Sequence, residues 1–586
     1  MNAAYRVFPV LALALVVSAC DSGNQGPADG SLDAGPDADS AADSDSDADT
    51  DTDTDTDIDT DTDTDGDGSF CEHKIPPLTA ECDEFVCDDS FVRFVKADAP
   101  DGGTGLSWES PFGSVQKGID SAFDHAFCCS ERAEVWVAAG TYMIWQGSPC
   151  DTVFLRKGVS IYGGFKGMET SRDERDWRAN ETILDGADSE DDYNGVFHVV
   201  FGSDDATIDG FTITGGEADE DFLCNPPEVE QPEHPFHEYG GGIINEDGST
   251  RIVHCTFRDN HARWGGGAVY ISSGSPSIID CVFEDNSSYH KFATSSIQCI
   301  DGEGGAIHNS LGSPLIQNSV FFGNYGLRGG AVYNYEGSCQ IVSCTIAGNL
   351  AEGGGAVFSV TSPGLIITDS ILWNNYSEEI MSFDSVIDVF HSIVRDGFDG
   401  AGNLDSDPLF RGGSLYDESY KGTWTDVSFD THDTILVDEN AAWPYLKLAR
   451  SYIRLDVTES GNFYLFSPYS ANTLHIPGNL SGDVKAGDSY QIYIISNVPP
   501  DLHLRPGSPA IDAADGVMAP ALDIDGQCRL DDPASVNVYS CSDAGPDAAC
   551  VEYADMGAYE YVPAAVDAGQ DAAATDAGAD AAADAS

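Results

Sequence analysis

The most constraining feature of this 586-residue sequence is a pattern that recurs at nearly constant spacing between Gly240 and Asn375. A glycine cluster accompanies most of the short apolar segments that end at Asn260, Asn286, Asn324, Asn349 and Asn375. The equivalent residues Cys255 and Cys281 are 26 positions apart, as are Cys344 and Ser370. A fixed period in the twenties is typical of a solenoid, in which each repeat forms one turn of a coil.

The repeat also indicates which side chains share a face. One position of each repeat is large and apolar, and a cysteine or serine lies two residues before it; the large residues are Phe257, Phe283, Phe321, Ile346 and Leu372. Residues two apart point to the same face of a strand. Rungs stacked at roughly 4.8 Å would bury these columns as continuous ladders. The asparagines would occupy a turn, where their amides can bond neighbours above and below and tolerate a left-handed bend, and glycine pairs would form another corner.

These patterns predict an all-β fold, a right-handed parallel β-helix. A leucine-rich horseshoe has a similar period, but its leucine and asparagine pattern is absent, and no helical periodicity separates the strands. The spacing of Val115, Ile119, Ala122 and Phe123 predicts one helix whose apolar face caps the open end of the coil. We expect the main rungs over residues 206–410 and an inserted β module over residues 411–499.

The N-terminus has the features of an export signal. Arg6 precedes an apolar run from Val7 to Val17, and Ser18, Ala19 and Cys20 follow it. This pattern predicts a secretory signal peptide over residues 1–19. The small residues before Cys20 resemble a bacterial lipobox, which implies lipidation of Cys20 and an exported protein anchored to the envelope, at the outer membrane and exposed at the surface. The alternative is an ordinary signal peptide followed by a chance cysteine.

Charge is distributed unevenly along the chain. Residues 20–68 are rich in Asp and Thr and predict an extended, disordered stalk, and residues 563–586 form an Ala/Asp tail. The net charge is −74; without the 18 acidic residues of the stalk, five of the tail and Arg6, a charge of −52 remains. This charge argues against a nucleic-acid partner. A polyanionic glycan would need bound cations or a local basic patch to dock.

The cysteines suit an oxidising compartment. Fifteen of the 16 remain if Cys20 is acylated, so at least one thiol should stay free or lie buried in a ladder. Two insertions, Glu217 to Tyr239 and Ser287 to Glu303, leave the coil at the same corner, two rungs or about 10 Å apart. Because each insertion holds one cysteine, we predict a disulfide between Cys224 and Cys299.

The segments around the repeats resemble a known family. The succession FVRFVKADAP, AEVWVAAGTY and SIYGGF within residues 69–205 is similar to the N-terminal part of bacterial pectate-lyase-like parallel β-helix surface proteins. In residues 500–562, LHLRPGSPAIDAAD, DIDGQCR and ADMGAYEY, together with the earlier DPLF, resemble the choice-of-anchor Q segment that terminates many such coils. The resemblance covers most of residues 91–562 and implies a displayed β-helix, but it implies little about catalysis.

The corner that carries both insertions is the candidate binding groove. Aromatic and basic side chains recur there on successive rungs, at His261, Arg263, Trp264, Tyr325, Arg328 and Tyr376. Such a strip suits stacking against sugar rings and holding their hydroxyl or carboxylate groups. The alternative is a row of ordinary turn side chains over a pair of loops joined by a disulfide.

Two carboxylates beside this corner are candidates for chemistry. Asp259 and Asp285 each precede the asparagine of their rung, so their side chains would lie roughly 5 Å apart. That spacing suits a retaining glycosidase pair or a calcium ion, and with Arg263 it resembles the calcium-assisted chemistry of β-helix lyases. Solvated turn residues are the simplest explanation. His234 and His237 form a weaker candidate metal site, and no GxSxG, phosphate-loop or HExxH motif is present.

Two functional hypotheses follow. The preferred one is a surface lipoprotein that presents a rigid β-helix for non-catalytic binding of an envelope or extracellular polysaccharide, or of another surface protein. The alternative is a calcium-assisted polysaccharide lyase or glycoside hydrolase that acts in the groove. A purely structural envelope component is a third reading. The lipobox, the stalk and the terminal segment are features of a protein displayed at the cell surface and do not indicate catalysis. They therefore favour the first hypothesis.

Overall fold

The computed structural model describes the chain from residue 91 to residue 561, except residues 101, 130–131, 189–190, 220–236, 290–301, 413–415, 430–432, 442, 444–450, 455–462, 466, 471, 478–483, 496–499, 516–518, 521, 528 and 530–553. An α-helix spans Val115–Cys129 and a 3₁₀ turn spans Arg172–Glu174. Within the described ranges, no helix is long and apolar enough to cross a membrane.

Four parallel sheets form the coil, and the chain visits them in the same order in each full rung. Sheet 1 contains Val92–Val95, Ala133–Ala138, Val159–Phe165, Thr207–Asp209, Arg251–Val253, Ser277–Ile279, Leu315–Gln317, Gln340–Val342, Leu365–Thr368 and Ile387–Phe390. Sheet 2 contains Gly140–Met143, Thr182–Asp185, Thr212–Thr214, Thr256–Arg258, Val282–Glu284, Val320–Phe322, Thr345–Ala347, Ile371–Trp373 and Ile393–Val394. Sheet 3 contains Glu217–Ala218, His261–Ala262, Ser287–Ser288 and Tyr325–Gly326. Sheet 4 contains Val153–Phe154, Val200–Phe201, Ile243–Asn245, Val269–Ile271, Ile307–Asn309, Val332–Tyr335, Val357–Val360 and Ile380–Phe383.

The predicted apolar column fills the interior of the coil. Phe257, Phe283 and Phe321 pair in register on sheet 2 and are fully buried. Their ring centroids are 4.8 and 4.6 Å apart, with the planes within 3° of parallel. The helix buries Val115 and Ile119 against the same core, so it closes the coil as the sequence predicts.

The asparagines form a buried amide ladder. Asn286 Nδ2 donates to Asn324 Oδ1 at 3.0 Å and to the Phe257 carbonyl at 2.9 Å. The backbone N–H of Asn286 also donates to Asn324 Oδ1, at 3.1 Å. The same side-chain contact links successive members of the row Asn260, Asn286, Asn324, Asn349 and Asn375. Each amide therefore fixes one rung against the next, and the predicted turn role is confirmed.

The left-handed bend of this turn lies one residue earlier than expected. Asp259, Asp285 and Asn374 have φ values of 53°, 57° and 58°, and Gly323 and Gly348 hold the same position on the intervening rungs. The ladder asparagines are not among the residues with positive φ, so assigning the left-handed bend to them was wrong. Glycine, Asn and Asp are the residues that tolerate this conformation. The preceding residue turns the chain, which leaves the asparagine side chain free to point inward.

Several thiols of the coil are free and buried. Cys255, Cys281 and Cys344 lie in the cysteine/serine column, and Cys339 is buried nearby. Burial raises the pKa of the Cys344 thiol to about 12, which makes it a small apolar side chain at neutral pH. Cys128, Cys129 and Cys150 are disulfide-bonded. Cys20, Cys224 and Cys299 lie outside the described residues, so lipidation and the Cys224–Cys299 disulfide stay predictions.

The C-terminal segment, residues 500–561, lies along the outer face of sheet 2. Leu502, Leu504, Ile511 and Met556 pack against outward-facing residues such as Phe322. A fully buried ion pair, Arg529 to Glu560 at 3.1 Å, stands at its centre. Arg529 Nη2 also donates to Asn318 Oδ1 of the coil at 2.9 Å. Sheet 2 is thus covered on both faces along the rungs from Val282 to Ile393.

The segment between the rungs and the C-terminal segment is a separate β module. One antiparallel sheet contains Tyr416–Thr423, Ser489–Ile495, Ser451–Arg454 and Phe463–Leu465; another contains Asp426–Phe429, Asp433–Val437, Thr473–Pro477 and Ser467–Ser470. Trp424, Trp443 and Tyr490 form the centre of its own hydrophobic cluster. A short hairpin, Ala187–Asp188 with Asp191–Gly195, completes the strands.

We expect Asn324→Ala to lower the free energy of unfolding by about 3 kcal/mol, because it leaves buried amide groups of the neighbouring rungs without partners. The measurement is the urea midpoint of the purified chain. Asp259→Gly is the matched control, since glycine already holds this left-handed position at Gly323 and Gly348, and its midpoint should stay close to wild type. Equal losses in both variants would contradict the proposed role of the ladder.

Glu379 ends the ladder by accepting from Asn375 Nδ2 at 2.6 Å. Burial raises its pKa to about 7, although Arg395 and Asn375 act in the opposite direction. Between the unfolded-state pKa and about 7 the folded chain holds more protons than the unfolded chain, so this group makes the free energy of unfolding fall as the pH rises. Glu379→Gln should abolish this pH dependence, so that the loss of up to about 3 kcal/mol between pH 4 and 8 seen in wild type is absent from the variant.

The measurement is urea unfolding at several pH values between 4 and 8. Glu378→Gln is the control, because Glu378 is the exposed neighbour. A Glu379→Gln chain whose pH profile equals that of wild type would show that Glu379 titrates as an ordinary surface acid.

Candidate functional site

The corner between sheets 3 and 4 is a narrow parallel ladder. Backbone bridges align Tyr239, Gly265, Glu303, Arg328 and Gly353 in one column. In the adjoining column, the Trp264 N–H donates to the Glu238 carbonyl at 2.8 Å, and the Glu352 N–H donates to the Leu327 carbonyl at 3.0 Å. The corner strip is defined here as Glu238, Tyr239, Trp264, Glu303, Leu327, Arg328 and Glu352. Its four rung steps span about 19 Å.

Glycine makes this corner possible. Gly266, Gly304, Gly329 and Gly354 all have φ between 62° and 69°. At Gly267 a Cβ would lie 2.4 Å from the carbonyl oxygens of Gly305 and Ser287. Only glycine permits the backbones of neighbouring rungs to approach this closely. The predicted glycine corner therefore allows the rungs to stack without a break at the corner strip.

Both predicted arginines of the groove are ion-paired. Arg263 Nη1 lies 2.8 Å from Glu238 Oε1, with the arginine side chain 3% exposed. Arg328 Nη1 lies 2.7 Å from Glu303 Oε1, and both side chains keep between 21% and 25% of their surface exposed. The corner therefore presents matched donor and acceptor groups rather than an excess of positive charge.

The predicted aromatic residues occupy two environments. Trp264 lies half-buried on the corner strip, and its indole N–H makes no hydrogen bond within the described part of the chain. Tyr325 is 5% exposed and, with Tyr376, packs in the cluster formed by sheet 2 and the C-terminal segment. Burial raises the pKa of Tyr325. Of the three aromatic residues predicted for the groove, Trp264 is the one that the corner strip includes.

Asp259 and Asp285 lie at the turn between sheets 2 and 3, one rung apart. Asp259 is exposed and Asp285 is half-buried. The strand His261–Ala262 separates Asp259 from Arg263 along the chain. The left-handed backbone already accounts for the presence of aspartate at both positions, and catalysis or calcium binding there stays a prediction.

A cluster that the sequence analysis missed lies on sheet 3. Glu217 pairs in register with His261, and His261 pairs with Ser287. His261 Nε2 lies 3.9 Å from Glu217 Oε1 and 3.9 Å from Asp219 Oδ2. Glu217 and Ser287 had been assigned to insertions, but both begin strands of the coil. The available signal was the two-residue spacing of Glu217 and Asp219, which puts both carboxylates on one face.

Other candidate positions have structural partners. His237 is 2% exposed and stacks on Phe197 with ring centroids 4.7 Å apart, while His234 lies outside the described residues, so their metal site stays a prediction. His254 contacts Asp209 at 2.9 Å and Asp280 at 3.4 Å at the corner between sheets 1 and 2. Trp177 stacks on His254, with ring centroids 4.7 Å apart.

A cavity of about 470 Å³ lies near the N-terminal cap. Its lining includes Phe94, Trp108, Trp136 and Met168. The Trp108 indole N–H donates to the Glu169 carbonyl at 2.9 Å, and Phe94 packs edge-on against the same ring. The polar group of this tryptophan is thus already satisfied by the protein.

Comparison with known proteins agrees with the architecture. A family described as "right handed beta helix region" matches residues 194–392. The coil is a right-handed parallel β-helix. This confirms the fold class expected from the repeat. A search of curated proteins finds no match.

The similar solved structures include two of pectin methylesterases and one of a bacteriophage tailspike protein. Pectin methylesterase PemA from Erwinia chrysanthemi is 12% identical, covers 51% of this chain and 88% of its own, and has a TM-score of 0.26. A pectin methylesterase in complex with a hexasaccharide has the same identity and TM-score, with 54% and 90% covered. The tailspike protein of E. coli bacteriophage HK620 in complex with a pentasaccharide is 11% identical, with 66% and 90% covered and a TM-score of 0.18. Likenesses this low leave activity and ligand to be argued from the chain's own residues.

Proposed function

We propose that this protein is an exported, lipid-anchored surface protein whose β-helix binds a neutral glycan along the corner strip without cleaving it. The observation that carries the proposal is the partly exposed contact of Arg328 with Glu303, next to the half-buried Trp264, whose backbone carbonyl accepts from the Glu303 N–H at 2.9 Å. A sugar hydroxyl both donates and accepts, so it matches such a pair. The indole supplies the apolar face on which a sugar ring packs.

Charge favours a neutral rather than an acidic ligand. Both arginines of the groove already have carboxylate partners, and the chain as a whole carries a net charge of −74. A uronic acid polymer would have to displace Glu238 or Glu303 from its arginine. Separating a partly buried pair leaves an uncompensated charge, which costs more than a surface contact returns. A neutral polysaccharide avoids that cost.

Binding without cleavage is supported by the positions of the candidate catalytic groups. Arg263 would serve as the base of a lyase, but its side chain is 3% exposed and held by Glu238. Asp259 and Asp285 lie at the turn between sheets 2 and 3, where their backbone conformation explains their identity. The rigid amide ladder beneath suits a template for an extended polymer, since a preorganised surface loses little entropy on binding.

The first test is retention of the purified chain on immobilised neutral glucans, mannans and galactans, with polygalacturonate as the acidic comparison. We expect binding to a neutral polymer, and Trp264→Ala should weaken it about tenfold or more, because the stacking surface is lost. Trp177→Ala is the matched control, since Trp177 is a half-buried tryptophan at the opposite corner of the coil.

Equal retention of wild type and Trp264→Ala would contradict binding at the corner strip. New reducing or unsaturated ends that depend on calcium and vanish in Asp285→Ala would replace this proposal with the enzymatic alternative. Preference for polygalacturonate would contradict the charge argument.

The anchor is supported by the sequence of the N-terminus, where Ser18 and Ala19 precede Cys20. We expect Cys20→Ser to move the protein from the membrane fraction to the soluble fraction of the producing bacterium. Serine at this position cannot be lipidated, so the variant loses the proposed lipid anchor. Fractionation and the mass of the N-terminal peptide provide the measurement. Cys71→Ser is the control, and a Cys20→Ser protein that stays in the membrane fraction would contradict the anchor.

A further inference from the structure

Three side chains converge where sheet 3 begins. Glu217 and Asp219 lie two residues apart, and His261 occupies the next rung opposite Glu217. One ligand atom of each residue lies within 4.8 Å of the others. The side chains of Asp219 and His261 are 4% and 6% exposed, and that of Glu217 is 18% exposed. The cluster is therefore built into the wall of the coil and is not an exposed acidic patch.

The distances within the cluster do not fit direct hydrogen bonds. His261 Nε2 is 3.9 Å from each carboxylate oxygen, well beyond hydrogen-bond range. Two ligand atoms that each lie about 2.1 Å from a tetrahedral metal ion are roughly 3.4 Å apart. Each of the two His261–carboxylate distances is about 0.5 Å longer than that spacing. The three ligand atoms are thus near enough to one another for a single ion to contact all of them after a small adjustment of the side chains.

Another histidine of the same coil provides an internal comparison. His254 also lies between two carboxylates, of Asp209 and Asp280. Its ring nitrogens approach them at 2.9 and 3.4 Å, which are direct contacts that leave no room for an ion between the groups. Each cluster joins one histidine to two carboxylates, but at His254 the carboxylates contact different ring nitrogens, whereas at His261 both lie at the same distance from Nε2.

The imidazole is also oriented in the way metal-binding histidines are. Its Nδ1 lies 3.1 Å from Ser287 Oγ of the next rung, which leaves Nε2 facing the carboxylates. Such a contact to the distal ring nitrogen holds the ring in place, and because a serine hydroxyl can accept from Nδ1–H, it is compatible with Nε2 as the ligating nitrogen. Tyr289 packs edge-on against the ring with centroids 4.7 Å apart.

We propose that Glu217, Asp219 and His261 form a binding site for a divalent transition metal ion, with zinc as the best match. One imidazole and two carboxylates are a ligand set of zinc, whereas calcium takes oxygen ligands and does not select imidazole. Three protein ligands leave one coordination position of a tetrahedral ion for water or for an oxygen of a ligand. This site is distinct from the calcium position considered at Asp259 and Asp285, and it does not depend on glycan binding.

The test is a zinc titration of the full chain after chelator treatment, in competition with a chromophoric chelator. Excess calcium is present to occupy sites made only of oxygen ligands, such as the acidic stalk. We expect one tight zinc site. His261→Asn should weaken it about 100-fold or more, and Ser287→Ala should weaken it about 10-fold to 100-fold through the orientation of the ring. His254→Asn is the matched control and should bind zinc like wild type.

X-ray absorption of the zinc-loaded wild-type chain identifies the ligand set without depending on the folding of a variant. One imidazole in a shell of oxygen and nitrogen atoms is the expected result. A sulfur shell, which would implicate the free thiols, would overturn the proposal. Absence of a tight site in wild type, or an unchanged affinity in a folded His261→Asn chain, would also overturn it. None of these readings involves a glycan, so the outcome is separate from that of the retention test.

Discussion

The amide ladder is the constraint on which the rest of the structure depends. Each ladder asparagine donates to the side-chain oxygen of its neighbour and to a backbone carbonyl of the preceding rung, at no more than 1% exposure. A buried amide tolerates no change of register, because a shifted rung would leave donors on two rungs unsatisfied. Any insertion must therefore leave the coil after one ladder position and return before the next apolar column. Sheet 3 and the corner strip lie in that interval, and both insertions leave the coil there.

The fold was predictable because each rung repeats the contacts of the last. A short pattern of asparagine, glycine and alternating apolar residues specifies the columns, and stacking the columns specifies the coil. The partners of Arg263 and Arg328 were not predictable in the same way. Glu238 and Glu303 lie at the ends of long insertions, where the period is lost and the register cannot be counted. The covering of sheet 2 depends on contacts such as Arg529 with Asn318, for which no local pattern exists. One sequence feature could have indicated that the outer face of sheet 2 is covered. Val320, Phe321 and Phe322 are three consecutive apolar residues, so both faces of this strand are apolar.

Backbone conformation explains residues that the sequence presents as functional. Asp259 and Asp285 have the spacing of a catalytic pair, yet the next two rungs place glycine at the same position. Aspartate and glycine share tolerance of the left-handed region, not chemistry. Glu217, Asp219 and His261 differ in this respect, because no left-handed turn position explains why these residues are present. Their identities are not dictated by φ, and their side chains converge across two rungs. The backbone conformation therefore distinguishes the turn pair, Asp259 and Asp285, from the pair Glu217 and Asp219 more clearly than the sequence spacing of either pair does.

The charge balance of this side of the coil links the two proposals. Glu238, Glu303 and Glu352 of the corner strip, with Glu217 and Asp219, supply five carboxylates, against the two guanidinium groups of Arg263 and Arg328. A divalent ion on sheet 3 would offset two of the three excess negative charges but would not reverse the sign. The field along the strip therefore disfavours polyanions with or without metal, and the proposed glycan binding would come from hydrogen bonding and stacking rather than from net attraction. Such a surface selects a ligand by the arrangement of its hydroxyl groups, which is the information that a neutral polysaccharide carries.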